Sequence, residues 1–456
     1  MIDHIDYRLA FILPNSRQLL GQQVSETIDL PIVSTSMWRR PAEQLTTQIE
    51  EQWKIKSIVL DVIAGAGGDA PPCAVVEVRS PDWNFERDGF RTVDVSIIAN
   101  NSLSEGQRSE IQLLLSGSSH NEKIFSRIGW IEEAQDWIRS SVTDHEVIFN
   151  GEIHHLNASG TFCLLRLGTQ SGPAYWIKGV GAPNAHEFDV TNYLAKHCPQ
   201  FLPPVIAVRK DWNAWIMEEF GSSLHHSKSL EDFKRAVHQL ANLQKQLAGV
   251  PEALRAAGCA DHRLTTLRSH IDEIVDYLDG AMRQQTSTKA KPVSSSRLDV
   301  VRTILHDACC SLEGLHIPDS LMHNDISPGS ILGNGFECVF TDWCEAYVGN
   351  PFITFEQLCV HVHRKTDQPE LWVRELRNIY KSCWMDMLTE HQIDRAFRLS
   401  SLVSVFSYLY GRGDWIQSAR RNEPTFMSYS RSLARHMDRI ADRPEVIEAI
   451  CLPHHA

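Results

Sequence analysis

Two aspartates, Asp325 and Asp342, stand seventeen positions apart, each where a carboxylate can do chemistry. Asp325 follows the apolar approach Leu321-Met322 and precedes the turn residues Ser327-Pro328-Gly329, a setting in which it can take a proton from an attacking hydroxyl. Asp342 closes the short apolar strand Val339-Phe340, where it can hold Mg²⁺ against ATP phosphates. Upstream, Lys178 ends the alternating strand Tyr175-Trp176-Ile177-Lys178, and Glu187 lies nine residues on, in the helix expected after it. A Lys–Glu pair there would hold an ammonium against the α- and β-phosphates.

Taken singly, each residue has an ordinary explanation: Asp favours turns and strand ends, and a lone strand Lys is usually solvated. Their order along one chain is what points to phosphoryl transfer. Two neighbouring segments are less specific. Asn157-Ala158-Ser159-Gly160-Thr161 reads equally as a plain hairpin turn or as a loop laying Ser159 and Gly160 N–H groups over phosphates. Met217-Glu218-Glu219-Phe220 occupies the crossing into the helical region, where backbone groups of Glu218 and Phe220 would meet an adenine edge. His323 is read as structural, its ring bonding the loop backbone and fixing the presentation of Asp325.

The elements that must position these groups follow from periodicity. Strands are expected over Ile153–Leu156, Thr161–Leu167 and Ala174–Val180, a helix over Pro183–His197, then strands over Val205–Val208 and Trp215–Met217. Beyond Phe220 the apolar stripes have helical spacing: Leu230–Leu247, Arg263–Met282, Leu298–Leu312, Phe355–His363, Pro369–His391, Ile393–Leu409 and Pro424–Asp442. Gln284–Arg297 reads as a Ser/Thr/Lys-rich insertion and Ala64–Pro72 as a flexible loop.

With the motifs in this order, His323-x-Asp325, Pro328-Gly329, Ile331-Leu332 and Asp342-Trp343-x-Glu345-Ala346, the chain resembles the aminoglycoside phosphotransferase and choline kinase-like family over about residues 150–445. The resemblance implies an α+β, two-lobed protein-kinase-like fold: a small lobe over 150–220 and a helical large lobe over 221–456. It implies ATP and Mg²⁺ as cofactors and a small-molecule hydroxyl as acceptor. Asp325 takes the place of the catalytic base, Asp342 of the metal-holding carboxylate, and Lys178 and Glu187 of the phosphate-contacting pair. Three positions depart from the family. Ser330 stands where an Asn binds the second metal, Ser327 where His is common, and Asn350 where Asp is frequent. A hydroxyl ligates a hard cation less well than an amide carbonyl and reaches less far. Two other readings therefore stand beside a small-molecule kinase: a nucleotide-binding pseudokinase or scaffold, and a kinase-fold enzyme that activates its substrate for condensation or elimination. Acceptor choice is assigned to the later helices, with Trp372, Trp384, Phe406, Tyr408, Tyr410 and Trp415 as lining candidates or, for most, as core.

The 456 residues, 43% hydrophobic and 22% charged, fit a multidomain globular protein. Net charge is −13, and no basic stripe exists to neutralise phosphates, so nucleic acid is excluded as a partner. Residues 345–456 hold 14 basic and 14 acidic residues, without the acidic excess a polycationic sugar would favour. No apolar run approaches the roughly 20 residues of a membrane span, and the acidic first residues do not read as a signal peptide, so a cytoplasmic protein is expected. The eleven scattered cysteines read as reduced core thiols.

Residues 1–140 are expected to form an N-terminal α/β accessory domain that could recruit a protein partner, with a boundary near 139–152. Strands are expected over Tyr7–Phe11, Ser57–Val62, Ala74–Val78 and Val93–Ile98, and helices over Pro41–Trp53 and Trp130–Ile138. This order faintly resembles a Nudix-like fold, with Thr47–Ile55 in the place of its helix motif. Only Glu51 remains of the metal-binding residues there, and Val33 and Lys54 occupy the motif's Gly positions. The other reading is an unrelated α/β accessory domain.

Overall fold

Alternation along β1 (His4–Leu13) sends Leu9 and Phe11 to one face of a sheet and Ala10 and Ile12 to the other, and all four are fully buried. The protein is seen in a computed structural model that describes residues 4–24, 26–37, 39–65, 71–99, 102–117, 123–411 and 421–452. β1 is followed by β2 (Gln18–Val24), β3 (Thr27–Asp29), β4 (Ile32–Ser36), α1 (Pro41–Trp53), β5 (Ser57–Ile63), β6 (Cys73–Val78), β7 (Phe90–Val93), α2 (Glu105–Ser116) and α3 (Trp130–Ser141). The seven strands form one mixed sheet in the order β3-β2-β1-β6-β5, with β4 also paired to β1 and β7 to β2. One face packs on Leu45 and Ile49 of α1 and on the edge-to-face rings of Phe11, Trp53, Trp83 and Phe90.

The opposite face meets a second sheet. That sheet comprises β8 (Phe149–Ala158), β9 (Cys163–Thr169), β10 (Tyr175–Gly179), β11 (Val205–Arg209) and β12 (Ala214–Glu218), antiparallel in the order β11-β12-β10-β9-β8. α4 (Glu187–His197) stands between β10 and β11 in the chain. Ala10, Ile12, Ile58 and Val75 of the first sheet and Leu165, Ile177 and Ile216 of the second belong to one apolar core, with Trp130 and Ile131 of α3. One compact unit therefore comprises residues 1–188 and 205–219. The boundary expected near 139–152 falls inside it, because each sheet supplies apolar surface that the other covers.

Asp189–Pro204 and the chain from Phe220 form the second unit. Its elements are β13 (Ser222–Ser223), α5 (Leu230–Gln246), α6 (Pro251–Ala256), β14 (Ala260–His262), α7 (Leu264–Ser269), α8 (Ile271–Arg283), α9 (Ser295–Glu313), β15 (Ser320–His323), β16 (Ile331–Gly333), β17 (Cys338–Phe340), β18 (Ala346–Gly349), α10 (Pro351–His363), α11 (Pro369–Trp384), α12 (Glu390–Gly411), α13 (Pro424–Ala441) and α14 (Pro444–Cys451). Two three-stranded sheets, β13-β16-β17 and β14-β18-β15, carry the loops of interest. A five-stranded antiparallel sheet with one helix between its third and fourth strands, then a helical body with two short sheets, is the protein-kinase-like fold. Here an N-terminal α/β region is built onto the small-lobe sheet. Among the described residues, no helix is long and apolar enough to cross a membrane.

Several expectations need correction. The strand expected over Val93–Ile98 ends at Val93, because the Asp94 carboxylate accepts the Ser96 N–H at 2.9 Å and turns Val95–Ile97 into a 3-10 helix. The single helix expected over Arg263–Met282 is two, broken at His270. The one expected over Pro369–His391 stops at Trp384; Thr389 and Gln392 form a reciprocal capping box that starts α12 instead. α2, opened by the Ser104–Gln107 capping box, was not anticipated. The Nudix-like resemblance is not borne out. Glu51 is exposed on α1, and Lys54 is a left-handed C-cap (φ 57°) donating to the Glu50 carbonyl. No group of three or more His, Cys, Asp or Glu among the described residues could hold a metal ion. The Ala64–Pro72 loop lies partly outside the described residues.

Candidate active site

In the first unit, β10 pairs residue for residue with β9 and β12, so Lys178 lies opposite Leu164 on one side and Trp215 on the other. Its ammonium meets the Glu187 carboxylate at 2.6 Å, with Lys178 5% and Glu187 1% exposed. Glu187 is the first residue of α4, where a carboxylate also faces the positive end of the helix dipole. The Trp215 ring lies 5.8 Å from the ammonium, and Val180, Phe188 and Trp215 form a small apolar cluster. Burying such a pair seldom stabilises a fold relative to apolar residues of the same size.

The β8–β9 turn is tight. Ser159 N–H donates to the Phe162 carbonyl at 2.9 Å, and the Phe162 N–H donates to the Ser159 hydroxyl at 3.1 Å. Gly160 and Thr161 form its tip. Glu218 ends β12 opposite Tyr175, while Glu219 donates its N–H to the Ala174 carbonyl. The Glu219 carboxylate takes two bonds from the Arg166 guanidinium, which holds it below the usual carboxylate range. Phe220 follows as the first residue of the second unit's main body and is half-buried.

In the second unit, β15 delivers the chain to Asp325 and β17 delivers it to Asp342. Several hydrogen bonds join these loops, among them that of the Thr341 N–H to the Ser330 carbonyl at 2.9 Å. His323 donates from Nε2 to the Thr341 carbonyl at 2.9 Å, and the Asn324 N–H donates to the Glu345 carbonyl at 2.9 Å. His323 itself is buried, its N–H on the Thr354 hydroxyl at 3.1 Å and its ring 4.8 Å from that of Trp343. The His323 ring, expected to bond the backbone of its own loop, thus bonds the segment that leads into Asp342. Asp342 adopts a left-handed backbone (φ 64°, ψ 56°), a conformation costing a residue with a Cβ roughly 1 kcal/mol. Backbone strain of this kind gathers at functional positions. Asp325 is half-buried in its turn, and its charge adds to burial in raising the pKa of the Tyr347 phenol.

Ser330 closes its own turn. Its hydroxyl accepts the Ser327 N–H at 3.0 Å and donates to the Ser327 carbonyl at 3.0 Å, in a site 4% exposed. Asn350 caps α10, its side chain accepting the Phe352 N–H at 3.1 Å. Of the aromatic candidates, Trp372, Trp384 and Phe406 are core; Trp372 packs on Phe233 and Trp384 on Phe352. Tyr408 and Tyr410 are half-buried, Tyr410 stacking on His270, and Trp415 lies outside the described residues.

Sequence reasoning missed a buried polar group behind Asp325. The Asn324 side-chain oxygen accepts from Gln357 Nε2 at 2.6 Å and from the Ser407 hydroxyl at 3.4 Å, and that hydroxyl also lies 3.2 Å from His262 Nδ1. His262 stacks flat on Tyr347 at 3.8 Å. Only the Asn beside Asp325 carried any signal, because the partners come from β14, α10 and α12.

No family model matches the chain, and no curated protein matches it. Among solved structures it is similar to a choline/ethanolamine kinase family protein from Mesorhizobium loti (16% identity, 69% of this chain and 97% of that one, TM-score 0.46). It is likewise similar to an ethanolamine kinase of Plasmodium vivax (14%, 74% and 95%, 0.44) and to a macrolide 2'-phosphotransferase from Brachybacterium faecium (12%, 66% and 98%, 0.45).

Proposed function

We propose that the protein is a phosphotransferase that uses ATP and Mg²⁺ to phosphorylate a hydroxyl of a small molecule. The observation that carries this reading is the buried Lys178–Glu187 pair at 2.6 Å, on the strand and helix where a triphosphate would be gripped. Asp342 supports it: a hard divalent cation is held by one or two carboxylates plus substrate phosphates, and Asp342 is presented from a strained, anchored turn. Bound MgATP would supply the transferable γ-phosphoryl group and the charge that neutralises it. Glu187 orients the Lys178 ammonium, Asp342 binds the cation, and an Asp325 carboxylate oxygen accepts the proton of the acceptor hydroxyl. The Ser159-Gly160 turn and the Glu218–Phe220 crossing contribute nucleotide contacts in this reading.

Calorimetric titration with MgATP tests it. Metal-dependent binding that disappears in Asp342→Ala and Lys178→Met supports the proposal; a parent protein that binds no nucleotide overturns it. One observation favours a second reading, a nucleotide-binding scaffold: Ser330 holds its hydroxyl within its turn, where the resemblance places a metal ligand.

A further inference from the structure

A segment of the N-terminal region, Lys123–Arg127, packs on two pieces of the candidate nucleotide site at once. Phe125 donates its backbone N–H to the Gly160 carbonyl at 3.1 Å, at the tip of the β8–β9 turn. A Cβ on Gly160 would lie 2.7 Å from the Ser126 hydroxyl and 2.8 Å from Cγ of Lys123, so the turn touches this segment with its backbone. The Phe125 ring lies against Gly179, the residue after Lys178, closely enough that a Cβ there would overlap it. Thr161 similarly occupies the space a Cβ on Gly181 would need, so the turn tip leans on the end of the same strand.

The segment is itself held from behind. Phe125 is 2% exposed and meets Trp130 and Trp212 edge to face at 5.2 and 6.0 Å. Ser126 donates to Asp61 at 2.9 Å, and the Lys123 ammonium lies 3.1 Å from Glu110 and 3.5 Å from Asp61. A glycine-bearing turn would otherwise move freely, and ordering it on binding costs conformational entropy. Contact from a buried ring and a backbone hydrogen bond lowers that cost beforehand.

We infer that Phe125 is a positioning residue of the nucleotide site, bracing the Ser159–Phe162 turn and the Lys178 strand so that the N-terminal region presets the small lobe for ATP. This deepens the function proposed above and rests on it for the ligand's identity. Gly179 and Gly160 are the positions at which the main chain makes room for the brace.

The test is a pair of measurements on the full chain. Calorimetry with MgATP is run on Phe125→Leu, Gly179→Ala, Phe125→Ala and the double variant, with melting curves to confirm folding. A brace predicts that Phe125→Leu and Gly179→Ala each weaken binding about tenfold, as lost preorganisation does. It also predicts that Gly179→Ala is better tolerated once Phe125→Ala has removed the ring it strikes. Folded Phe125→Leu with parent affinity, or strictly additive losses in the cycle, overturns the inference. Hydrogen exchange at the 159–162 amides provides the second readout, faster in Phe125→Leu if the turn is released and unchanged if the inference is wrong. A parent protein that binds no MgATP sinks the kinase reading, and the exchange result then decides the brace on its own.

Discussion

The ring of His323 donates to the carbonyl oxygen of Thr341 across 2.9 Å, so the residue two before Asp325 holds the residue one before Asp342. With the Asn324-to-Glu345 backbone bond it makes the two carboxylate loops one frame. His323→Ala leaves the Thr341 carbonyl without this donor and opens a hole beside Trp343. A buried polar group left unsatisfied costs about 1–3 kcal/mol. The melting temperature should fall, and MgATP affinity should fall further than in an equally destabilised variant remote from Asp342; equal losses in both would mean that His323 only packs.

Lys178→Met strips the Glu187 carboxylate of its buried ammonium, at about 3–5 kcal/mol for breaking such a pair. Adding Glu187→Leu should restore most of the stability and none of the nucleotide binding. Urea titrations of both variants, set beside calorimetry, separate the structural from the functional role. Recovery of binding in the double variant would remove Lys178 from the site.

Asp342→Asn keeps a residue type that tolerates the left-handed backbone at φ 64° but loses the charge. Its melting temperature should match the parent's while metal-dependent binding disappears. Asp342→Gly relieves a Cβ penalty of about 1 kcal/mol there and should likewise lose metal-dependent binding. Stability unchanged with binding retained in the Asn variant would place the metal elsewhere.

Ser330→Asn removes the hydroxyl that closes the Ser327 turn at 3.0 Å and introduces an amide carbonyl. In a working kinase, turnover should rise several-fold at low Mg²⁺, measured as ADP release with a hydroxyl-acceptor panel. Absence of turnover in parent and variant, with MgATP binding intact, would favour the scaffold.

Two buried histidines contribute to the acid response. Burial lowers His155 to about 4 and His262 to about 3, and the His155 Nδ1 accepts the Val59 N–H, which only the neutral ring can do. An unfolded histidine titrates near 6.5, so between about pH 6.5 and 4 the unfolded chain binds more protons, and stability falls as pH falls. Each histidine contributes about 1.4 kcal/mol per pH unit in that window. Urea midpoints at pH 7.5 and 5.5 should differ, and His155→Asn should shrink the difference; an unchanged difference would exclude His155 as its source.

The local patterns were legible because they are local. Period-2 alternation placed β10 with Lys178 near its end, helical spacing placed α5, α10 and α13, and turn chemistry placed Asp325 and Asp342 in loops. Caps formed by Ser104, Asp94 and Thr389 were legible in principle, since each acts within three residues. Contacts between distant segments were not. Nothing in the spacing of Phe125 and Gly179 foretells that a ring from before α3 fills the space beside β10. Nor does composition show that the N-terminal sheet and the small-lobe sheet share one core. The chain's alternation says which side of each sheet is apolar; only tertiary packing chooses what covers it, because burial is non-directional and many partners satisfy it equally. The same holds for Ser330, whose residue type permits a metal contact while the folded turn turns its hydroxyl back on Ser327.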